Sequence, residues 1–570
     1  VMLVSHWPKL VMLIALGMSI LLPVVVGLGE AMRAAFGILP ALGRHSFSID
    51  AWHQLLQLPG LISSLRLTLF SGFAATIMAL LLAIFGSSWV YNSSPKLSFL
   101  GRLKPLVQLI IVPVLAAPHA AIAIGLAFLI APSGWLVRWF SPWLTDWTLP
   151  PDWATVQDLW GLSLTLGLVI KELPFLWLVC LVALKQINVS KQMSLAQSLG
   201  YSHSLAWRKI IIPQLYPLIR LPVMVVLVYA LSTVDMAQIL GPNNPPTLAL
   251  VTMRLYTDAN AQMLLPASAA AISLAMLMVM SILLWEILVR ALMLVNRVSI
   301  RSGGRASKWT LLGTTLTAAL PISFILGLLS LLVLAIWSIT WRWTFPETWP
   351  TSWSFDYWLQ LLTEWPLALK HSLITALISS GLALMLAVIW LEVQDRFGGH
   401  FYRATLWLIY LPLLVPQIAF LYGLKVSFLR LGLSGGIGTV IWAHLLFVFP
   451  YVMLSLVDSW RALDQRYLSV AASLGSSSWT CLWRIKLSLL LRPLLIAWAI
   501  GMAVSISQYL PTLLIGAGRV ESLTTEAVSL ASGADRRLVG VYGLLQALVP
   551  LLAYSCALLL PRWVALKHMK

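Results

Sequence analysis

The segment "SLAQSLGYSHSLAWRKIIIPQLYP" (Ser194–Pro217) occurs twice in this chain, the second time in diverged form as "SVAASLGSSSWTCLWRIKLSLLLRP" (Ser469–Pro493). Each copy is basic and amphipathic in a chain that is otherwise mostly apolar. The glycines of the two copies, Gly200 and Gly475, lie 275 residues apart (475 − 200). A repeat at this spacing indicates that the chain consists of two diverged halves.

Other matches flank this repeat. "PHAAIAIG" (Pro118–Gly125) is similar to "PQIAFLYG" (Pro416–Gly423), at an offset of 298 residues (416 − 118). Pro174 and Pro450, which precede the two basic segments, lie 276 residues apart (450 − 174). The first half therefore has 22 extra residues (298 − 276) between these landmarks. We assign them to the Trp-rich segment at residues 131–157, in a loop on the outward side.

The composition requires a lipid environment. Of the 570 residues, 60% are hydrophobic and only 10% are charged, too few to cover the surface of a soluble protein. Apolar runs of about 20 residues are long enough to cross a bilayer as helices. We therefore predict an all-α membrane protein with about twelve transmembrane helices. The predicted spans are 10–29, 63–86, 106–131, 160–184, 219–240, 265–289, 311–337, 372–392, 405–427, 436–457, 494–515 and 541–561.

Charge sets the expected orientation. The net charge of +18 is spread over short loops between apolar runs. That pattern is typical of cytoplasmic loops of membrane proteins, not of a nucleic-acid-binding surface. It places the N- and C-termini in the cytoplasm. The first apolar run is expected to be a retained span, because no small-residue cleavage site follows Leu28. Each half has an even number of spans, which predicts two parallel six-helix repeats. We expect the first repeat at residues 1–295, a cytoplasmic linker at 296–309 and the second repeat at 310–570.

The basic segments have the pattern of a helix–turn–helix elbow. Leu195 and Leu199 lie four residues apart, as do Val470 and Leu474, which places an apolar stripe on one face of a short helix. The glycine that follows is a natural helix C-cap. Small residues are expected on the exposed side, where another backbone could approach closely; they are Ala196, Ser198, Ala472 and Ser473. Ser202 and Ser477 are expected to cap the second helix of each elbow.

A single such segment is more simply explained as a membrane-surface anchor, but two matched copies favour a docking role. Both copies resemble the EAA loop of the permeases of ABC importers, in which E-A-A-x-x-L-G is followed thirteen residues later by Pro. The first copy has Pro213 at that position, whereas the second has Ser488. The chain is similar to fused double permeases of the iron(III) and thiamine type. The resemblance implies that these residues dock an ATPase: Ser194, Ala196, Leu199, Gly200, Ser469, Ala471, Leu474 and Gly475.

One departure from the family pattern changes the expected contact. The leading Glu is replaced by Ser194 and Ser469, so docking should rest on shape and not on an ion pair. The resemblance further implies a homodimeric ABC ATPase at the cytoplasmic face and a periplasmic substrate-binding protein. The chain has no Gly-Lys dipeptide and hence no P-loop, so ATP and Mg²⁺ would be bound by the partner ATPase and no cofactor by this chain.

Two other function classes were weighed. A secondary, ion-coupled transporter with a parallel six-plus-six repeat would carry ionisable pairs in both halves. A membrane enzyme would need a clustered catalytic set, and the sequence shows none. The cysteines Cys180, Cys481 and Cys556 have no metal-binding spacing, and no metal site is expected.

Ionisable residues within spans are the first candidates for a translocation pathway. Asp235 lies in the fifth predicted span and is a pathway candidate, or else pairs with an Arg or a helix end. The matched region of the second half has no acid and offers Ser507, Gln508 and Tyr509 instead. Lys171 and Glu172 are expected to neutralise partners within the bundle or to lie near its outer mouth.

Overall fold

The computed structural model describes residues 17–92, 99–301, 303, 310–360, 362, 364–397, 409–433, 435–533 and 535–568. Ten helices within these ranges are long and apolar enough to cross a membrane. An eleventh span is present if the bent pair Ser478–Leu489 and Leu491–Ile506 is counted as one. The all-α membrane fold is confirmed, and eleven of the twelve predicted spans have a counterpart.

Parts of the predicted segments lie outside the described residues: 1–16 and 93–98 in the first repeat, 302 and 304–309 in the linker, and 361, 363, 398–408, 434, 534 and 569–570 in the second repeat. The missing counterpart is the predicted ninth span, 405–427, whose described part is divided at Pro416 into helical residues 409–414 and a helix of 14 residues. The predicted linker begins as helix, because the last helix of the first half continues to Arg301.

The helices of the first half run in this order: α1 (Leu22–Ala35), α2 (Asp50–Leu56), α3 (Leu61–Asn92), α4 (Phe99–Ala116), α5 (His119–Ile130), α6 (Trp135–Phe140), α7 (Leu162–Leu184), α8 (Val189–Ser198), α9 (His203–Ala206), α10 (Ile212–Ser232), α11 (Asp235–Leu240), α12 (Leu248–Tyr256) and α13 (Leu264–Arg301). A π-helical turn, Gly17–Leu21, precedes α1 and another, Trp207–Ile211, joins α9 to α10. Short 3₁₀ turns occur at Pro40–Leu42 and Ala261–Met263.

The second half repeats this order: α14 (Thr310–Ser338), α15 (Asp356–Gln360), α16 (Trp365–Phe397), α17 (Gln417–Arg430), α18 (Ile437–Arg461), α19 (Arg466–Ser473), α20 (Ser478–Thr480), α21 (Leu487–Leu489), α22 (Leu491–Ile506), α23 (Leu510–Gly516), α24 (Leu523–Ala531) and α25 (Arg536–His568). The π-helical turn Cys481–Lys486 follows α20. Two short antiparallel strands, β1 (Thr340–Arg342) and β2 (Ser352–Trp353), form a hairpin between α14 and α15.

Packing follows the same plan in both halves. In the first half α3 packs against α7 and α10, and α5 packs against α11. In the second half α16 packs against α18 and α22, and α17 packs against α23. The sequence repeat is therefore a repeat of structure, and two fused permease-like repeats account for the fold.

The first helix of each half crosses to the other half. Helix α1 packs against α17, and α14 packs against α5. Glycines permit these crossings: a Cβ at Gly27 would lie 2.3 Å from the carbonyl oxygen of Phe420, and one at Gly423 would lie 2.0 Å from that of Gly27. At the related crossing, a Cβ at Gly125 would lie 2.0 Å from the carbonyl oxygen of Ser330. Small residues let membrane helices approach this closely.

The extra residues of the first half form α6 and a loop, and α6 contacts the second half. Arg138 of α6 is buried and donates to the carbonyl oxygens of Thr344 (2.7 Å) and Glu347 (3.0 Å) in the β1–β2 connection. Its guanidinium also lies 4.9 Å from the ring centre of Trp343. The corresponding connection in the second half, from α17 to α18, is only a short turn.

Candidate coupling and pathway sites

The first elbow, residues 189–211, turns at a glycine. Helix α8 ends at Ser198, and Gly200 follows in the left-handed region with φ of +85°. The amide of Gly200 donates to the carbonyl oxygen of Gln197 (2.9 Å), and that of Tyr201 donates to Ala196 (3.0 Å). Because only glycine adopts this φ without strain, the turn depends on Gly200.

The second elbow, residues 466–486, repeats this geometry. Gly475 has φ of +79°, and the amides of Gly475 and Ser476 donate to Ala472 and Ala471, each at 3.0 Å. Ser477 caps the following helix, as predicted, by accepting from the amide of Thr480 at 3.2 Å. The predicted cap at Ser202 is wrong, since its side chain makes no capping bond.

The exposed side of each elbow carries large apolar side chains among small and polar ones. Ser198, Ala472 and Ser473 lie there as expected, but the expectation for Ala196 is wrong. Ala196 is 2% exposed and Ala471 6%, whereas Leu195 is 63% and Leu474 80% exposed. Helical spacing explains the difference in the first elbow, where Val189, Met193 and Ala196 share the inward face and join the main core. The leucines then point away from the core. Leu199 and Val470 are exposed in the same way.

The serines at the family's Glu positions make no outward contact. The hydroxyl of Ser194 donates to the carbonyl oxygen of Ser190 (3.0 Å), and that of Ser469 donates to Gln465 (3.1 Å). Each hydroxyl is thus bonded to its own helix, while the side chains of Leu195, Leu199, Val470 and Leu474 remain exposed.

Buried lysines hold the elbows to the transmembrane helices. In the first elbow, Nζ of Lys209 donates to the carbonyl oxygen of Ser299 in α13 at 2.7 Å. In the second elbow, Nζ of Lys486 is paired with both Glu392 (2.8 Å) and Asp395 of α16. At the 275-residue offset of the two glycines, Lys209 corresponds to Arg484 (209 + 275), but Arg484 is exposed and Lys486 takes the anchoring role.

The carboxylates around Lys486 are themselves held in place. The indole of Trp460 donates to Asp395 at 2.9 Å, and Arg396 bonds Glu392 at 2.6 Å. Arg396 also donates to the carbonyl oxygen of Ser478 at the start of α20 (3.2 Å). Sequence analysis missed this cluster, although Glu392, Asp395 and Arg396 share one helix face at spacings of three and four residues.

Four helices are interrupted near the centre of the fold, and the interruptions occur at matched places. In the first half the breaks lie at Pro118, after α4, and at Thr233, after α10. In the second half they lie at Pro416, after helical residues 409–414, and at Ser507, after α22. Broken helices at membrane depth free backbone groups, which only protein or a water-filled cavity can satisfy. These breaks therefore mark the candidate pathway.

In the first half the breaks bring ionisable groups together. Nε2 of His119 lies 3.1 Å from Oε1 of Glu172, and its ring centre lies 4.3 Å from that of Tyr229. Asp235 accepts from the hydroxyl of Thr233 at 2.8 Å and lies 3.5 Å from that of Tyr229. Asp235 thus has a place in a polar cluster and does not pair with an Arg among the described residues.

In the second half the matched positions are neutral. The amides of Gln417 and Gln508 lie 3.5 Å apart, and the hydroxyl of Tyr509 donates to Gln238 of α11 at 3.2 Å. The structure thus places Tyr509 beside first-half residues, whereas Gln508 accepts from Gln417 within the second half. Ser507 takes no part, because its hydroxyl bonds the carbonyl oxygen of Val504. We call the set the central cluster: His119, Glu172, Tyr229, Asp235, Gln238, Gln417, Gln508 and Tyr509.

Lys171 stabilises one of the breaks and does not pair with Glu172. Its ammonium group donates to the carbonyl oxygens of Val114 (3.3 Å), Leu115 (2.8 Å) and Ala117 at the end of α4. A cation is favourable at a helix C-terminus, where carbonyl groups lack partners. This agrees with the expectation that Lys171 neutralises groups within the bundle.

His444, which sequence analysis left without a role, stabilises the break between α22 and α23. Its ring nitrogens each lie 2.8 Å from a hydroxyl, of Ser505 on one side and Thr512 on the other. The buried histidine thus joins the end of α22 to α23 through two hydroxyl groups, which is a structural role. Within the described residues, no group of three His, Cys, Asp or Glu side chains could hold a metal ion.

Comparison with known proteins agrees with the two-repeat organisation. No protein-family model matches the chain. It is 32% identical over 532 residues to the inner membrane ABC transporter permease protein YnjC of Escherichia coli, covering 92% of each chain. It is 24% identical over 160 residues to the spermidine/putrescine transport system permease protein PotC of Haemophilus influenzae, which covers 28% of this chain and 62% of PotC.

The name of a third relative refers to the transport of a different solute. The molybdenum transport system permease protein ModB of Mycobacterium tuberculosis is 32% identical over 164 residues, covering 27% of this chain and 62% of ModB. The partial matches to single permeases agree with a chain that carries two permease repeats. Their agreement with the near full-length match shows that this chain belongs to the permease subunits of ABC transporters.

Proposed function

We propose that this permease is driven by a homodimeric ABC ATPase that grips its two elbows. The observation that carries the proposal is the pair of exposed apolar side chains on each elbow, Leu195 with Leu199 and Val470 with Leu474. Two identical ATPase subunits would present two equivalent grooves, which matches two equivalent projections on one chain. ATP and Mg²⁺ would be bound by those subunits.

The contacts of the elbows would let them transmit movement of the ATPase to the transmembrane helices. Each has a glycine turn with bonded amides, and each is held to a transmembrane helix by a buried lysine, Lys209 or Lys486. Closure of the ATPase subunits would draw the elbows together and open the pathway outward, and ATP hydrolysis would reset it. Because Lys486 bonds α16 directly, movement of the second elbow would be passed to that helix.

The central cluster supplies the pathway in this proposal. Asp235 lies at an interrupted helix of the first half, Gln508 and Tyr509 lie at one of the second, and Tyr509 donates to Gln238 across the halves, as expected for a site between repeats. A secondary transporter would carry ionisable groups in both halves, but the second half contributes amides and a phenol. This difference supports ATP-driven transport.

The remaining parts of the system follow from the same proposal. The chain would lie in the bacterial inner membrane with both termini in the cytoplasm, on the side of the elbows. A periplasmic substrate-binding protein would dock on the opposite face, where residues 131–157 and the β1–β2 hairpin lie. The solute would pass from that protein through the central cluster to the cytoplasm.

The docking claim is tested by co-purification. The double variant Leu199→Glu with Leu474→Glu places a charge on each apolar projection and should abolish co-purification of the ATPase subunit. Leu433→Glu, at an exposed leucine outside both elbows, is the matched control and should leave the complex intact. Equal amounts of each permease in the membrane exclude loss of folding. An intact complex with the double variant would contradict docking at the elbows.

A further inference from the structure

Asp235 is a carboxylate without a cationic partner. One oxygen, Oδ1, interacts with the hydroxyls of Thr233 and Tyr229, and Oδ2 accepts no bond from the described side chains. No Lys, Arg or His among the described residues forms an ion pair with it. A carboxylate held inside a membrane protein without a counter-ion is costly and marks a functional position.

The fold itself does not require this acid. Asp235 begins α11 directly after the break at Thr233. In the second half the matched helix α23 begins with Leu510 after a break of the same kind, with Gln508 and Tyr509 in place of charged groups. Since one break forms without a carboxylate, the carboxylate at the other is available for a purpose besides local structure.

Two tyrosines lie near Asp235. The hydroxyl of Tyr229 lies 3.5 Å from Oδ1 of Asp235, and the ring centre of Tyr229 lies 4.3 Å from that of His119. Tyr509 reaches the same helix from the second half and donates to Gln238, three residues after Asp235. The face of a tyrosine ring attracts organic cations, and that attraction adds to the attraction of a carboxylate.

The side chains of the same region that are able to carry a positive charge already have partners. Lys171 has three N–H donors, and three backbone carbonyl groups accept from it. The imidazole of His119 is held by Glu172. Among the described residues of the central cluster, an anionic solute would therefore meet an unpaired carboxylate and no free ammonium group, whereas a cationic solute would meet a free counter-ion.

We propose that the central cluster conducts a small organic cation, such as an alkylammonium or a heteroaromatic cation, with Asp235 as its counter-ion. The inference rests on the proposed role of this cluster as the translocation pathway. A bare metal ion fits less well, because the described residues contain no group of three metal-ligating side chains.

The test measures the charge preference of the cluster without any knowledge of the solute. A single cysteine is introduced by Gln238→Cys in full-length chain in which Cys180, Cys481 and Cys556 are replaced by alanine. Its reaction rates are measured with cationic trimethylammonioethyl, anionic sulfonatoethyl and neutral methyl methanethiosulfonates. The ratio of cationic to anionic rates is divided by the same ratio for free mercaptoethanol, which removes the intrinsic reactivity of the reagents.

We expect a normalised ratio of at least about 10, because a nearby carboxylate attracts one reagent and repels the other. Asp235→Asn should lower the ratio towards one, and Asp235→Glu should keep it high. Asp356→Asn, at an exposed acid outside the central cluster, is the matched control and should leave the ratio unchanged.

Two results would overturn the inference in different ways. A ratio near or below one with native Asp235, while the neutral reagent reacts, would refute the cationic solute and leave the pathway intact. A cysteine that does not react even with the neutral reagent would show that the cluster lines no water-filled space. That second result would refute the proposed pathway as well.

Discussion

The crossing of α1 over α17 makes a sharp prediction about two glycines on one helix. In Gly27→Ala the new Cβ would lie 2.3 Å from the carbonyl oxygen of Phe420, and 3.0 and 3.1 Å from the carbonyl carbon and Cβ of that residue. In Gly29→Ala, two residues further on, the Cβ would meet nothing within 4 Å. The two variants therefore differ in local crowding and in little else.

The two substitutions should change the free energy of unfolding in opposite directions. Ordinary contact begins near 3.4 Å, so relief of the clash at Gly27 requires the helices to separate by about 1 Å, and such overpacking costs about 1–3 kcal/mol. Separation would also strain the bond between Glu30 of α1 and Arg430 of α17, which is 2.6 Å long. At Gly29 the substitution relieves the low helix propensity of glycine and should stabilise by up to about 1 kcal/mol.

The assay is thermal unfolding of the purified chain in detergent, at one scan rate for all variants because unfolding of large proteins is commonly irreversible. We expect the midpoint of Gly27→Ala to fall by a few degrees relative to the native chain. That of Gly29→Ala should be equal or slightly higher. If both variants had the same midpoint, the close crossing of the two halves would be refuted.

Three further predictions concern the elbows and the central cluster. Lys486→Met leaves two carboxylates without their buried partner and should destabilise the chain by about 2–4 kcal/mol, measured by the same unfolding assay; Arg484→Met, at an exposed position, should have little effect. Asp235→Asn should lower solute uptake by membrane vesicles and leave the amount of co-purified ATPase unchanged, and unaltered uptake would remove it from the pathway. Gly200→Glu with Gly475→Glu strains both turns and should abolish co-purification of the ATPase while the permease stays in the membrane; an intact complex would contradict the need for these turns.

Several features could be predicted from the sequence because they depend on local composition or on self-similarity. Apolar runs of sufficient length identify spans in a bilayer, since a helix satisfies its own backbone. The matched elbows and their glycine turns followed from the repeat, as did the extra residues at 131–157. Asp235 is a candidate because ionisable groups within spans are rare, and Tyr509 is one because it lies in the matched region of the second half.

The orientation of side chains depended on neighbours that are distant in sequence. A ten-residue helix such as α8 has apolar residues on two faces, and only packing against the core shows that Ala196 points inward and Leu195 outward. For the same reason Lys486, and not Arg484, anchors the second elbow, since its partners lie on α16.

The sequence by itself thus determined the membrane environment, the two-repeat plan and the position of the elbows, because each is a property of continuous segments. Only the tertiary structure decided that α1 and α14 each pack against a helix of the other half and that Lys171 bonds the end of α4. It also decided that the carboxylate of Asp235 in the central cluster has no cationic partner among the described residues. These features arise from contacts across more than fifty residues of sequence, such as that of Lys171 with Ala117, and no local pattern encodes them.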